Sequence, residues 1–532
     1  MRSVRALAVT AALSLLAFST TTFAGEPKQG GILRMYHRDS PANASILEGA
    51  TYSVNVPFMG VFNNLVIYDQ HIAQNSPDTL RPELAESWSW SGDNKKLTFK
   101  LRQGVKWHDG KPFTSADVKC TFDLLMGKSQ QKLRQNPRKA WYSEVDDVTP
   151  NGDFEVSFNL KRPQPSLLAM LASGYTPIYP CHVSPADMRT HPIGTGPYKF
   201  VEFKANESIK LTKNPDYWKK GLPYLDGIEY TIIPNRSTAI LAFVAGKFDM
   251  TFPTHITIPL LNDIKSQAPN AVCVVEPTNV STNIIVNSSS APFDNIDVRR
   301  AMSLALDRKA FVDILFEGQA DIGGTMLPPP QGIWGMPKDK LETIPGYGPD
   351  VNANREEAKK LMQKAGFGPD KHLAVKVSTR NLAEYRDPAV ILIDQLKSIY
   401  IDGELDVVET ANWFPKVARK DYMLGLNLTG NSVDDPDQSF YENYSCGSER
   451  NYTNYCNKDI EKLFDVQSQE IDTGKRKQLV WDIDKKLQED VARPIIFHAR
   501  AGTCWQPYVK GITIMSNSSY NGFRYEDVWL DK

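Results

Sequence analysis

The stretch Leu84–Val118, LAESWSWSGDNKKLTFKLRQGVKWHDGKPFTSADV, carries the densest local structure code in the chain. Trp88 and Trp90 alternate with serines, Ser91-Gly92-Asp93-Asn94 supplies a turn, and Leu97, Phe99 and Leu101 alternate with Thr98, Lys100 and Arg102. Period-two alternation on both sides of a turn predicts a hairpin with one buried face. Val105, Trp107 and an Asp109-Gly110 turn follow, and Thr114 stands three residues before Asp117. A hydroxyl there can accept from the first free amides while the carboxylate reaches back, so a helix is expected to begin at this point. The aromatics are read as core, because large side chains at strand spacing are usually buried.

Taken as a whole, the same stretch resembles the recurring signature of the extracytoplasmic solute-binding proteins of family 5, the dipeptide, oligopeptide and nickel group of ABC importers. The likeness continues in IGTGPYKF (193–200), in KNPDYWKKGLPYLDGIEYTIIP (213–234) and in PFDNIDVRRAMSLALD (292–307), so that it spans nearly all of the chain beyond its first residues. It implies an α/β, two-lobed periplasmic-binding-protein fold of type II, cluster C, with an extra subdomain inserted in lobe I. The implied division is a signal peptide at 1–24, lobe I at 25–68, the inserted subdomain at 69–192, lobe I again at 193–280, lobe II at 281–503, and a return to lobe I at 504–532. In the family the inserted subdomain lies away from the ligand, which implies a scaffold role.

The residues themselves support part of this picture. Arg2 and Arg5 precede an apolar run from Ala6 to Phe18 and a polar stretch ending Thr22-Phe23-Ala24, the layout of a secretory signal peptide cut after Ala24. Without that segment the 532 residues fall to about 508, more than one hydrophobic core usually serves, so at least two lobes are expected. Of 61 Lys and Arg side chains two lie in the leader, leaving 59 against 62 acidic ones and a formal charge of about −3. That balance gives no electrostatic case for nucleic acid or an anionic membrane. Six cysteines in an exported chain can form disulfides. Cys446 and Cys456 flank a short polar loop and are expected to pair; Cys120, Cys181, Cys273 and Cys504 leave three pairings open.

Local patterning fills in the elements. A strand is expected at Gly30–Tyr36, a helix within Ser53–Tyr68 that ends near Asn63-Asn64, a turn at Asp146–Asp153 followed by a strand, and a polar crossover between lobes at Glu276–Asn283. Asp307 is expected to cap a helix, while Arg299, Arg300, Arg308 and Lys309 read as solvated faces. Helices and strands then alternate from Asn354 to Val408, which argues for a mixed α/β second lobe. Ligands of such sheets gather at loops beyond the carboxyl ends of strands.

Candidate ligand-binding residues come from the resemblance. It places Tyr52 and Asn55 at the cleft edge, Arg380 and Asn381 in a loop that reaches the ligand, and Trp413 near the cleft. A planar arginine fork suits a ligand carboxylate, and dipeptide-binding members of the family place such an arginine nearby. The loop Leu428–Asp437 contributes Asn431, Ser432, Asp434 and Asp435. Peptide-binding members carry an aspartate four residues before its proline, paired to the peptide amine; here that position is Ser432, which cannot form the ion pair. Asp434 and Asp435 stand close enough to substitute, or else form the turn before Pro436.

Enzyme signatures are missing: there is no His-Glu-x-x-His, no Gly-x-Ser-x-Gly and no Cys/His cluster at zinc spacing. Gly127-Lys128-Ser129 lacks the glycine of a nucleotide loop, since position 122 is Phe122. The expectation is a monomeric periplasmic receptor, with no catalytic residues, cofactor or bound metal. It would close two lobes around a short peptide and deliver it to an inner-membrane ABC permease with its ATPase. A non-peptide solute (an oligosaccharide, an opine-like conjugate or a metal chelate) is the alternative favoured by Ser432 and Asn431, and a chaperone-like binder without a permease is a third.

Overall fold

The computed structural model describes residues 25–532, so the expected signal peptide at 1–24 lies outside the described residues. The Leu84–Val118 stretch folds largely as its pattern dictates. Strands Ala85–Trp90 and Lys96–Leu101 pair antiparallel and are joined by Glu155–Leu160 and Val145–Pro150 into one four-stranded sheet. Leu97, Phe99 and Leu101 are buried, whereas Trp88 and Trp90 are only half-buried at the rim. Helix Ser115–Met126 starts at a capping box: Thr114 takes the amide three residues on, and Asp117 Oδ2 accepts from Thr114 N at 3.0 Å. It stops at Gly127 in the left-handed region, φ 77°, where a side chain would be strained.

A second four-stranded sheet forms lobe I, in the order Ile32–His37, Gly227–Ile232, Ser208–Lys213, Tyr198–Lys204, with its first pair parallel. The Gly194-Thr195-Gly196 turn leads into it. A Cβ on Gly194 would lie 1.9 Å from the Val61 carbonyl oxygen, so close backbone packing accounts for this glycine. Lobe II is built on a five-stranded sheet in the order Ile401–Val408, Leu373–Arg380, Leu424–Gly430, Val272–Val286, Ile495–Trp505. Helices Ile296–Ala305, Arg308–Phe316, Val351–Lys364 and Ala383–Lys397 supply residues to its core around Met302, Phe311, Met362 and Leu392.

The lobes are joined through two long strands. One end of Val272–Val286 pairs with Arg500–Trp505, beside the lobe I bridges Met250–Trp505 and Ile256–Gly502; the other end lies between Leu424–Gly430 and Ile495–His498. The polar segment Glu276–Asn283, where a crossover between lobes is expected, is itself strand. Its polar character survives as a register shift between Pro277 and Ser281, where proline has no amide to give and Asn279 takes φ 52°. Cys273 and Cys504 sit opposite each other in this pairing and form a disulfide; the other pairs are Cys120–Cys181 and Cys446–Cys456.

Other expectations are revised by tertiary contacts. The helix expected to end near Asn63-Asn64 is shorter, Tyr52–Phe58 followed by a 3-10 turn, and beyond it Val66–Tyr68 is a strand recruited by pairing with Leu80–Pro82. Asp146–Pro150 belongs to a strand, because Glu155–Leu160 offers it a ladder. Asp307 does cap its helix, accepting from Ala310 N. Arg308, read as solvated, is buried over the Tyr347 ring at 3.8 Å and donates to the carbonyls of Ile495 and Gly346. The segment 69–192 also meets lobe II, through Arg162–Asp465, Trp141–Glu442, Ser166–Asp437 and Ser173–Ser432.

Candidate functional site

A cavity of about 510 Å³ lies where the lobes meet. That falls within the ~300–1,000 Å³ of typical small-solute sites. Lobe I contributes Arg38 at the carboxyl end of strand Ile32–His37, Tyr52 at the start of its helix, Arg236 at the start of helix Arg236–Val244, and His255. Lobe II contributes Arg380 at the end of its strand, Glu384 and Tyr385 in the first turn of helix Ala383–Lys397, and Phe414. The joining strands add Thr278, Val280, Thr282 and Phe497. Strand ends and helix starts thus line the cavity, as is usual at α/β clefts.

Charged side chains bridge the cleft. Arg38 of lobe I pairs with Glu384 of lobe II, and Arg236 Nη2 lies 2.7 Å from the same carboxylate. Arg380 pairs with Asp39, donates to Ser53 Oγ at 2.9 Å and, through Nε, to Thr410 Oγ1 at 2.9 Å. Thr410 and Ser53 in turn donate to Asp39 at 2.7 and 2.5 Å. Burial opposes the charge on Glu384, yet the two guanidiniums hold its pKa down at about 2. Burial likewise opposes ionisation of Asp39, but Arg380 outweighs it and keeps the carboxyl well below the usual range. His255, facing Arg236, is pushed down to about 3 by burial first and by that cation second, so its ring is neutral and shares a hydrogen bond with the Tyr36 hydroxyl at 3.1 Å.

Of the expected site residues, the fold brings Tyr52 and Arg380 to the cavity wall. The ring of Tyr52 stacks on Tyr520 at 4.1 Å and its hydroxyl donates to the Thr278 carbonyl at 3.2 Å. Arg380 is fully buried and engaged by Asp39 and its neighbours. Asn55 is buried one helical turn behind Tyr52, donating to the Gly174 carbonyl. Asn381 donates to Glu409 at 2.6 Å on the outer side. Trp413 is buried in a core with Ile285, Val417 and Tyr422, while its neighbour Phe414 lines the cavity.

The loop before Pro436 is held within the protein. Ser432 is buried, its Oγ 2.8 Å from Ser173 Oγ and its carbonyl accepting from Ser518 and Asn521. Asn431 is buried beside it. Asp434 accepts from Ile333 N at 3.2 Å and from Asn517. Asp435 caps helix Pro436–Tyr444 and forms a two-pronged pair with Arg476 at 2.8 and 2.9 Å.

Arg38, Asp39, Arg236, His255, Glu384 and Tyr520 were not anticipated. Arg38-Asp39 directly follows an apolar strand and so stands where α/β clefts form, which is a usable signal. Glu384 reads as an ordinary helix-start acid, and Tyr520 lies in a segment without periodicity. Among the described residues no group of three or more His, Cys, Asp or Glu could hold a metal ion, and no helix is long and apolar enough to cross a membrane.

A family model described as bacterial extracellular solute-binding proteins, family 5 Middle, matches residues 79–451. Heme-binding protein A of Haemophilus influenzae is 29% identical over 347 residues, 61% of this chain and 59% of that protein. Oligopeptide-binding protein AppA of Bacillus subtilis is 27% identical over 502 residues, 89% of this chain and 87% of that protein. The solved structure of AppA in complex with a nonapeptide matches with a TM-score of 0.82 at 24% identity, covering 95% of this chain and all of that one. At that identity the structural likeness is one of fold.

Proposed function

The chain belongs to the bacterial extracellular solute-binding proteins of family 5, and from that premise we propose that it is the periplasmic receptor of an ABC importer for short peptides. On this reading an N-terminal signal peptide directs export and is removed. The monomeric receptor closes its lobes around one solute, and the closed form docks on an inner-membrane permease whose ATPase supplies the energy. The observation that carries the reading is the cavity of about 510 Å³, walled by both lobes and spanned by ion pairs from one to the other. A solute that contacts both walls favours the closed state by its differential affinity for it. The oligopeptide-binding relative, aligned over most of both chains, supports peptide as the cargo.

A non-peptide solute is the second reading, favoured by Ser432, a neutral side chain already bonded to Ser173. The heme-binding relative adds to it. A thermal-shift screen of the mature protein against di-, tri- and longer peptides, sugars and metal chelates separates the two. Ligand at about one hundred times its Kd stabilises by ~2.7 kcal/mol, a readily measured rise in Tm. Peptides are expected to give it; a shift from sugars or chelates alone would replace the peptide reading.

A further inference from the structure

Behind Tyr520 lies a group of buried polar side chains that the cleft-spanning ion pairs do not involve. Arg138, from the inserted subdomain, is 1% exposed and lies over the Tyr175 ring with its guanidinium carbon 3.8 Å from the centroid. Its Nη1 donates to the Gly49 carbonyl, but Nε and Nη2 meet no acceptor among the described residues. Arg450, from lobe II, is 3% exposed and pairs with Glu442, while its Nε also lacks an acceptor there. Glu442 is further engaged by Trp141 Nε1 at 2.6 Å. The Tyr175 hydroxyl is buried with no partner among the described residues, and its ring lies 5.2 Å from that of Tyr520, which lines the cavity.

Arg450 thus has Glu442 as its counter-charge, whereas Arg138 makes no ion pair among the described residues, in a place shielded from water. A buried cation without its full complement of acceptors is unfavourable unless a further anion joins it. The group also adjoins the Ser432 loop, since Ser173 Oγ bonds Ser432 Oγ at 2.8 Å and accepts from Tyr175 N at 3.2 Å. We propose that the cleft continues past Tyr520 into a subsite where Arg138 and Arg450 receive a carboxylate of the solute, so that the cargo presents an acid at this end rather than an ammonium group. The proposal rests on the solute-receptor reading and narrows the solute to an anionic class. Planar guanidinium nitrogens match the two oxygens of a carboxylate, and the Tyr175 hydroxyl adds a donor. Arg138 and Arg450 come from opposite sides of the interface, so the anion would also draw subdomain and lobe II together.

The test pairs Ala-Ala with N-succinyl-Ala-Ala, which replaces the ammonium by a carboxylate, and adds free succinate against chloride at equal ionic strength. Calorimetry and thermal shift are read on the wild-type chain and on the Arg138→Gln, Arg138→Lys and Tyr175→Phe variants. The succinylated peptide is expected to bind about ten-fold or more tighter, a difference of about 1.4 kcal/mol. That preference should vanish in R138Q, persist in part in R138K and shrink in Y175F. Equal or tighter binding of Ala-Ala, or a preference that survives R138Q, overturns the subsite and leaves the peptide reading standing. An Arg138-dependent shift with succinate while neither peptide binds upholds the subsite and overturns the peptide reading. No response to any of the three probes overturns the subsite and leaves the peptide reading to the wider screen. Should R138Q not fold, Y175F, which removes one hydroxyl, decides in the same way.

Discussion

Asp39 and Arg380 face each other across the cleft with almost no exposure to water. Breaking such a pair from one side leaves a buried uncompensated charge, which costs about 3–5 kcal/mol. Arg380→Ala and Asp39→Asn are therefore expected to lower unfolding stability by that order in urea denaturation. The double variant is expected to lose less than the sum, because the second change removes the orphaned charge. Strict additivity would mean that the two groups do not interact. A second residue-scale prediction concerns Asp484, 1% exposed, whose pKa burial raises to about 6 against hydrogen bonds from Thr325 N and Gln488. A carboxyl raised on folding contributes stability that is complete below about pH 4 and is lost as the pH climbs through 6. Asp484→Asn keeps an acceptor for Thr325, so its stability relative to wild type should improve between pH 4 and 8 by up to about 3 kcal/mol. A pH-independent difference in Tm would refute this.

Among the elements, the two joining strands decide most about how the lobes are held. Cys273 and Cys504 are partners in their ladder and lie 231 positions apart in sequence. A crosslink closing so long a loop restricts the unfolded chain by up to about 5 kcal/mol in the chain-entropy model. Cys273→Ser with Cys504→Ser is expected to lose a large part of that in guanidinium unfolding, whereas the Cys446–Cys456 pair, only 10 positions apart, should contribute less. The register shift at Pro277–Ser281 is the place for bending, since an interrupted ladder resists it least. Hydrogen exchange of amides at Thr278 to Val280 should accordingly exceed that of the flanking ladder at Val272–Val275.

For the whole molecule, the ion pairs that span the cleft rest on carboxylates that must stay ionised. Glu384, held at about 2 by burial offset by Arg38 and Arg236, and Asp39, held low by Arg380, both have folded pKa values below their unfolded ones. Their contribution is present above roughly pH 4.5 and disappears as the pH falls toward 2. Fluorescence energy transfer between dyes on the two lobes should report opening over that window before global unfolding, and Glu384→Gln should bring part of it to neutral pH. Transfer efficiency in E384Q identical to wild type at every pH would show that the bridge does not control closure.

Much of this protein was determined by its sequence alone, wherever local chemistry has one outcome. The hairpin within Leu84–Val118, the Thr114–Asp117 capping box, the Asp307 cap and the α/β rhythm of lobe II are all set by neighbours a few positions apart. The short Cys446–Cys456 loop was legible for the same reason. The tertiary structure alone decided what depends on partners far along the chain. It turned Val66–Tyr68 into a strand, chose Cys273–Cys504 and Cys120–Cys181, and buried Arg308 over Tyr347. It also set Arg380 against Asp39, 341 positions away, and lodged Arg138 over Tyr175. A charged side chain in sequence carries no record of whether water or a distant counter-charge will surround it, and only the packed lobes settle which.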